Sequence, residues 1–140
     1  MSVNTFVDTN ILVYFRDSRD VAKQQTAATV LQQLWLERSG RISTQVCSEY
    51  FVTVTSKLQP GLSIQEAWAD IEALRVWQPL AIDLPCLYLA KEVQSNYGLS
   101  WWDCLIIAAA QRCGCNTILS EDLNAGQQYL GVTVCNPFRC

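Results

Sequence analysis

Four carboxylates in this sequence lie within mostly apolar segments, where a charge is unexpected. Asp8 follows TFV and shortly precedes ILVY, and Asp103 lies between WW and CLIIAAA. Glu49 lies in QVCSEYFVTV, and Asp122 closes the segment TILSED. A charge in such surroundings must be paired, hydrated in a cleft or bound to a metal ion, because desolvation disfavours it. These four acids are therefore the candidates for chemistry.

The sequence contains no histidine, which narrows the chemistry. Hydrolases built on Ser-His-Asp or Cys-His groups are excluded, because both use an imidazole as the base. Four carboxylates that converge repel one another, so without a cation at least one should have a pKa above its usual value of roughly 4. Oxygen ligands without histidine or paired thiolates favour Mg2+ or Mn2+ over zinc or copper. Such ions suit phosphoryl chemistry, in which they bind phosphate oxygens, deprotonate a water and stabilise the leaving oxygen.

Each of the four acids also has a purely structural explanation, in which its side chain serves the local backbone or a nearby cation. The structural partners are Asn10 in a turn for Asp8, Lys57 or an arginine for Glu49, Ser100 in a capping box for Asp103, and a turn or helix start for Asp122. Taken singly, none of the acids is specific for a function. Their joint placement in the fold carries the argument.

The periodicity of the chain predicts short apolar strands that alternate with amphipathic helices. Strands are predicted at residues 3–8, 42–43, 80–82, 116–119 and 132–134. Helices are predicted at residues 20–38, 45–58, 63–76, 83–97 and 101–113. Ser63 and Glu66 have capping-box spacing, and Gly40, Gly98 and Gly114 are expected to stop the helices that precede them.

Alternating strands and helices predict a three-layer α/β/α fold with a mostly parallel sheet, because parallel strands need helical crossovers. At 140 residues the chain is expected to form one domain, residues 1–140. Ligands bind such sheets outside the carboxyl ends of the strands. Asp8 and Asp122 follow predicted strands and Asp103 lies in the first turn of a helix, so the acids are expected to meet at that edge.

The composition limits the partners. The net charge is −3 and the pI about 4.8, which argues against binding nucleic acid through bulk positive potential but leaves room for a local basic groove. Arg16, Arg19 and Lys23 are close in sequence, but charged residues on a helix more often form a solvated face than a binding groove. No apolar run has the roughly 18 residues of a membrane span, and no secretory signal is recognised. A cytoplasmic protein with reduced cysteines is expected.

Four segments in order resemble one known family. The patterns VDTNILVY, SEYFVTVTSKL, LSWWDCLIIAAA and TILSEDLNAG, closing toward GVTVCNPF, are similar to those of the PIN-domain ribonucleases, most closely the VapC-type toxins of bacterial toxin-antitoxin pairs. The resemblance runs from Val3 to Phe138. Each motif is short and not decisive alone, but the four together, in this order, are specific for the family.

The resemblance implies roles position by position. It implies that the divalent ion is held by Asp8, Glu49 and Asp103, with Asp122 completing the acidic pocket. The polar residues implied to orient these acids are Thr9, Asn10 and Ser120. Glu121 is the alternative to Asp122 as the fourth acid. Cys104 stands where the family more often has alanine, which is expected to affect packing more than chemistry.

The resemblance further implies an endoribonuclease that uses Mg2+ or Mn2+ to hydrolyse RNA phosphodiester bonds, leaving a 5′-phosphate and a 3′-hydroxyl. The implied partners are RNA, a second copy in a homodimer, and a VapB-type antitoxin that occludes the pocket and binds operator DNA. Two alternatives stay open. One is a non-catalytic PIN-like interaction module, and the other is a different aspartate-based phosphoryl hydrolase. A dehalogenase-like nucleophile at Asp8 would want a second aspartate where this chain has Asn10.

Overall fold

The computed structural model describes residues 3–139 and has a five-stranded sheet at its centre. The strands are β1 (Thr5–Val7), β2 (Gly40–Arg41), β3 (Thr117–Leu119), β4 (Gln128–Tyr129) and β5 (Val132–Cys135). Their order across the sheet is β2-β1-β3-β5-β4. All neighbouring pairs are parallel except β4 and β5, which are antiparallel.

Six α-helices within residues 3–139 flank the sheet, which confirms the predicted α/β class. They are α1 (Thr9–Arg16), α2 (Val21–Glu37), α3 (Thr44–Ser56), α4 (Ile64–Ala73), α5 (Leu84–Tyr97) and α6 (Trp101–Arg112), and a 3-10 turn, Leu74–Trp77, continues α4. Each α-helix begins after a residue whose side chain accepts a bond from a first-turn backbone N–H, which stabilises the helix start. These capping residues are Asp8, Asp20, Ser43, Ser63, Asp83 and Ser100.

Parallel pairing brings the carboxyl ends of the inner strands level with one another. Val7 of β1 is in register with Leu119 of β3, which is in register with Cys135 of β5. The backbone N–H of Asp8 then donates to the Leu119 carbonyl at 3.0 Å, and that of Ser120 to the Cys135 carbonyl at 3.0 Å. The residues that follow β1 and β3 therefore emerge side by side at one edge of the sheet.

Helix α6 is the most buried helix. Its seven consecutive residues from Cys104 to Ala110 are all buried, the pattern of a helix enclosed on every side. It packs against α5, β3 and β5. Asp103, directly before this buried stretch, is thus held on a helix that the core fixes in position.

Two predicted strands are wrong. Residues 80–82 form no strand, and Leu80 makes only an isolated parallel bridge with Ser43. The second strand lies at Gly40–Arg41 rather than at residues 42–43, and Ile42 is a buried residue that follows it. Both segments are short apolar runs, for which burial alone does not distinguish a strand from an extended connection.

Helix α1 and strand β4 are not predicted by the sequence analysis. The run ILVY within α1 is rich in β-branched residues, which favours a strand. The β4–β5 hairpin turns at Leu130 and Gly131, which have φ angles of 51° and 79°. Positive φ at two successive residues suits a tight hairpin turn, but leucine gives no signal for it.

Gly40 was expected to stop the preceding helix, and the structure gives it a different role. Helix α2 ends earlier, at Glu37, and Arg38 caps it in the left-handed region with φ 57°. A Cβ at Gly40 would lie 2.4 Å from the Trp77 ring. Glycine is required there because the indole packs directly on the β2 backbone.

Within residues 3–139 no helix is both long enough and apolar enough to cross a membrane. The six cysteines of this range are free thiols, and the seventh, Cys140, lies outside the described residues. Cys86, Cys104 and Cys115 are buried, and the other three are partly exposed.

Candidate active site

Asp8 lies at the centre of the candidate site, between the end of β1 and the start of α1. It is only 7% exposed. Its carboxylate accepts hydrogen bonds from the Thr9 backbone N–H at 2.8 Å, the Ser120 hydroxyl at 2.6 Å and the Asn10 side-chain amide at 3.3 Å. The predicted turn partner, Asn10, is therefore present, but it is one of three donors.

Burial raises the pKa of Asp8 from 3.8 to about 6. The bonds from the Ser120 hydroxyl and the Thr9 N–H oppose this rise, because they stabilise the ionised form. The negative charges of Asp122 and Glu49 are smaller causes of the same rise in the pKa of Asp8. Asp8 is thus a desolvated acid in the field of other acids. The sequence predicts a raised pKa from mutual repulsion, and burial is the larger cause of the rise.

Ser120 and Asn10 tie the end of β3 to the start of α1. The Ser120 hydroxyl, which donates to Asp8, also accepts from the Asp122 backbone N–H at 3.2 Å. The Asn10 amide donates to the Asp122 carboxylate at 3.1 Å, and its oxygen accepts from the Glu121 backbone N–H at 3.1 Å. These bonds hold Asp8 and Asp122 beside one another.

Glu49 reaches the same site from helix α3. The Thr9 hydroxyl donates to one carboxylate oxygen at 2.7 Å, and the Gln45 side-chain amide donates to the other at 3.1 Å. Gln45 is one helical turn before Glu49, so the pair is a local i, i+4 contact. Within residues 3–139, Glu49 forms no ion pair with Lys57 or any arginine.

Asp103 faces the site from the first turn of α6. Its backbone N–H donates to the Ser100 hydroxyl at 3.2 Å, but the full capping box formed by Ser63 and Glu66 in α4 is not repeated here. Burial raises the pKa of Asp103, the Ser100 hydroxyl lowers it, and the charges of Asp122 and Glu49 raise it. The same two charges act on Asp8 and Asp103, so the four acids form one electrostatic cluster.

Glu121 is engaged elsewhere. Its carboxylate accepts a bond from the Tyr14 hydroxyl at 2.6 Å and pairs with the Lys23 ammonium. Burial alone would raise its pKa, but the bonds from Lys23 and Tyr14 outweigh burial and lower it. Of the two candidates for the fourth acid, Asp122 is the one that joins the cluster.

The donor chemistry fits a hard divalent cation. Five ion pairs are formed within residues 3–139, and none involves the four clustered acids. Among the same residues, no three acidic or thiol side chains lie close enough together to hold one metal ion. Carboxylates that are partly desolvated and have no cationic partner are typical Mg2+ and Mn2+ ligands.

A cleft of about 490 Å3 opens beside the cluster. The candidate residues that line it are Thr9, Asn10, Glu49, Glu121 and Asp122. Tyr14, which holds Glu121 in its wall, was missed because α1 itself was not predicted. Gln45 was also missed, although its four-residue spacing from Glu49 was visible in the sequence.

Comparison with known proteins agrees with this geometry. A family model for the PIN domain matches residues 5–127. This chain belongs to the PIN domain family. The match includes all four clustered acids of this PIN domain. No curated protein matches the chain by sequence.

Solved structures with this PIN domain's fold include several toxin-antitoxin proteins. Mycobacterium tuberculosis VapC20, a toxin that cleaves the sarcin-ricin loop, superposes with TM-score 0.68 at 20% identity, over 93% of this chain and 99% of that one. FitAcB from Neisseria gonorrhoeae superposes with TM-score 0.67 at 18% identity, over 97% of this chain and 99% of that one. VapBC2 from Rickettsia felis, bound to a promoter DNA fragment, superposes with TM-score 0.66 at 15% identity, over 93% of this chain and 96% of that one. At these identities the likeness is one of fold.

Proposed function

We propose that this PIN domain is a Mg2+- or Mn2+-dependent endoribonuclease and the toxin of a toxin-antitoxin pair. The observation that carries the proposal is the buried Asp8, which has no cationic partner within residues 3–139 and lies in the field of the negative charges of Asp122 and Glu49. Such an arrangement disfavours the folded state unless a cation binds. It is therefore better explained by a function than by stability.

In the proposed site the ion is held by Asp8, Glu49 and Asp103, with Asp122 as the fourth acid. A bound divalent ion supplies charge stabilisation for the phosphoryl oxygens and acidifies the attacking water. The Thr9 hydroxyl fixes one oxygen of Glu49, and Ser120 fixes one oxygen of Asp8. With its pKa at about 6, Asp8 is mostly ionised at neutral pH and ready to bind a cation. Hydrolysis leaves a 5′-phosphate and a 3′-hydroxyl.

An apolar groove of about 400 Å3 supports the proposed antitoxin partner. Phe15 and Trp35 line it and are 42% and 43% exposed, and the buried Trp77 indole N–H beside it has no acceptor within residues 3–139. Helix α1 separates the groove from the acidic cleft, with Leu12 facing the groove and Thr9 the cleft. An amphipathic antitoxin segment seated here would lie next to the acids and could cover them. A homodimer is proposed on the family resemblance alone.

The test is cleavage by purified protein. Wild type with Mg2+ or Mn2+ is expected to cut RNA, and the products carry 5′-phosphates that can be ligated and mapped. Asp8→Asn, which removes a ligand charge at nearly constant shape, is expected to abolish cleavage while the circular dichroism spectrum is kept. Asp20→Asn is the matched control, because Asp20 also caps a helix but is not one of the four candidate acids. Equal cleavage by Asp8→Asn and wild type would refute the site, and a wild type that binds neither ion would favour the non-catalytic alternative.

A further inference from the structure

The cleft beside the four acids is a groove with two helical walls. On α1 and its cap, the residues that line it at four-residue spacing are Thr9, Val13 and Asp17. On α3 and its cap, those that line it at the same spacing are Glu49, Thr53 and Lys57. Residues four apart share one face of a helix and lie about 6 Å apart along it. Each wall is therefore a row of three side chains that runs away from the acids.

The two walls line the same cleft. They are joined at the acidic end, where the Thr9 hydroxyl donates to Glu49 at 2.7 Å. The α1 row ends at Asp17, with Arg19 beside it, and the α3 row ends at Lys57; all three residues line the cleft. Eight residues of helix separate Glu49 from Lys57, so the two ends of the groove are about 12 Å apart. The α3 row thus begins with the anionic Glu49 and ends with the cationic Lys57.

The two cations at the far end differ in how they are held. Arg19 donates to Asp17 through Nε at 3.1 Å and Nη2 at 3.3 Å, and its backbone N–H also donates to Asp17 at 3.0 Å. Asp17 is 8% exposed, so it holds the guanidinium in a fixed place. Lys57 is exposed and has no carboxylate within ion-pair distance among residues 3–139. Its charge is available to a ligand.

We propose that Lys57, together with Arg19 in the same cleft, binds the backbone phosphates of a single RNA strand whose scissile phosphate lies at the acids. This inference rests on the proposed function. A chain of net charge −3 does not attract RNA as a whole, so attraction must come from local cations. At about 3.4 Å per stacked nucleotide, the strand covers the groove in roughly three to four nucleotides.

Lysine recognises phosphate as a point charge, without the planar geometry that reads a base edge. The contact at Lys57 is therefore expected to position the strand for any sequence. Selectivity among RNAs must then come from other contacts.

The experiment measures binding rather than cleavage. Every protein carries Asp8→Asn so that RNA stays intact, and a fluorescein-labelled ten-nucleotide RNA is titrated by anisotropy over a range of salt concentrations. Adding Lys57→Met is expected to raise Kd about two- to five-fold at low salt, the range of one exposed ion pair. It should also reduce the slope of log Kd against log salt by about 0.7, the value for one phosphate on a single strand. Lys57→Glu should weaken binding more than Lys57→Met.

Lys91→Met is the matched control, because Lys91 is an exposed lysine on α5 outside the cleft. It is expected to leave both Kd and the salt slope unchanged. Neutral methylphosphonates placed one at a time along the RNA should locate the contact. At the phosphate that Lys57 binds, the methylphosphonate should remove the effect of Lys57→Met, and at the other phosphates the two effects should add.

If Lys57→Met behaves like Lys91→Met, or if no methylphosphonate couples to it, the inference is overturned. Binding of polyglutamate that depends on Lys57 while RNA binding does not would also overturn it, in favour of an acidic peptide. The readout does not require cleavage. A wild type that cuts no RNA would refute the proposed function, whereas the effect of Lys57→Met on binding decides the phosphate contact in either case.

Discussion

Asp8→Asn is expected to stabilise the metal-free protein at neutral pH. Raising the pKa of Asp8 from 3.8 to about 6 means that the ionised side chain disfavours folding by about 3 kcal/mol above pH 6, at 1.36 kcal/mol per unit. Asparagine carries no charge and is as good a helix cap as aspartate. Weaker bonds from Ser120 and the Thr9 N–H offset part of the gain. A rise in melting temperature of roughly 5 °C is expected, given about 3–4 °C per kcal/mol for a domain of this size.

The pH dependence gives the sign of the effect. Because the folded pKa of Asp8 is raised, the native state binds more protons than the unfolded state between pH 4 and pH 6. The stability of wild type should therefore fall as pH rises from about 4 through about 6, whereas Asp8→Asn should lack this component. Asp103, whose pKa is also raised by burial, adds to the fall. Near pH 4 the melting temperatures of Asp8→Asn and wild type should converge.

The measurement is differential scanning fluorimetry in chelator from pH 4 to 7.5, with Asp20→Asn as the matched capping control, which should show no gain. Mg2+ at ten times its Kd should then stabilise wild type by about 1.4 kcal/mol and Asp8→Asn much less. The reasoning fails if metal-free Asp8→Asn melts no higher than wild type at pH 7.5. Asp8 would then be a structural cap whose hydrogen bonds outweigh its burial.

Three further predictions address the neighbours of Asp8. Thr9→Val removes the hydroxyl that holds Glu49. The rate of single-turnover cleavage should fall about ten- to a hundredfold, while the melting temperature stays unchanged. An unchanged cleavage rate would mean that Glu49 does not need this hydrogen bond. Asp122→Asn should weaken Mg2+ binding measured by calorimetry, whereas Glu121→Gln should not, and the reverse result would make Glu121 the fourth acid. Expressed without a partner, wild type should arrest growth of a bacterial host and Asp103→Asn should not. Equal growth would contradict the toxin proposal.

The sequence predicts the helices and the inner strands where local signals agree with the fold. Ser63 with Glu66, and Ser100 before α6, are capping residues at the predicted positions. Helix α1 was missed because its β-branched residues favour a strand, while the cap at Asp8 and the packing on α2 and α3 impose a helix. The hairpin at Leu130 was missed because its turn requires a positive φ at a residue that rarely adopts one.

The sequence predicts where the acids lie relative to the sheet, but it does not predict which physical effect raises the pKa of Asp8 most. Strand ends and a helix start place Asp8, Asp122 and Asp103 at one edge of a parallel sheet. Mutual repulsion was expected to raise a pKa, and for Asp8 burial contributes more than its charged neighbours do. Burial depends on what covers a residue in three dimensions. The ion pair between Glu121 and Lys23 joins residues that are 98 positions apart in sequence, and no local pattern predicts it.

The position of Asp8 as the first cap of α1 constrains how such a chain can lose its activity during evolution. Replacement by alanine or valine would remove the charge and also the side-chain acceptor for the Thr9 N–H, at a cost of about 1 kcal/mol. Asparagine, serine or threonine would silence the chemistry and keep the helix start. Inactive descendants of this protein should therefore accumulate these three residues at position 8, and an apolar residue there would mark a chain whose first helix has begun elsewhere.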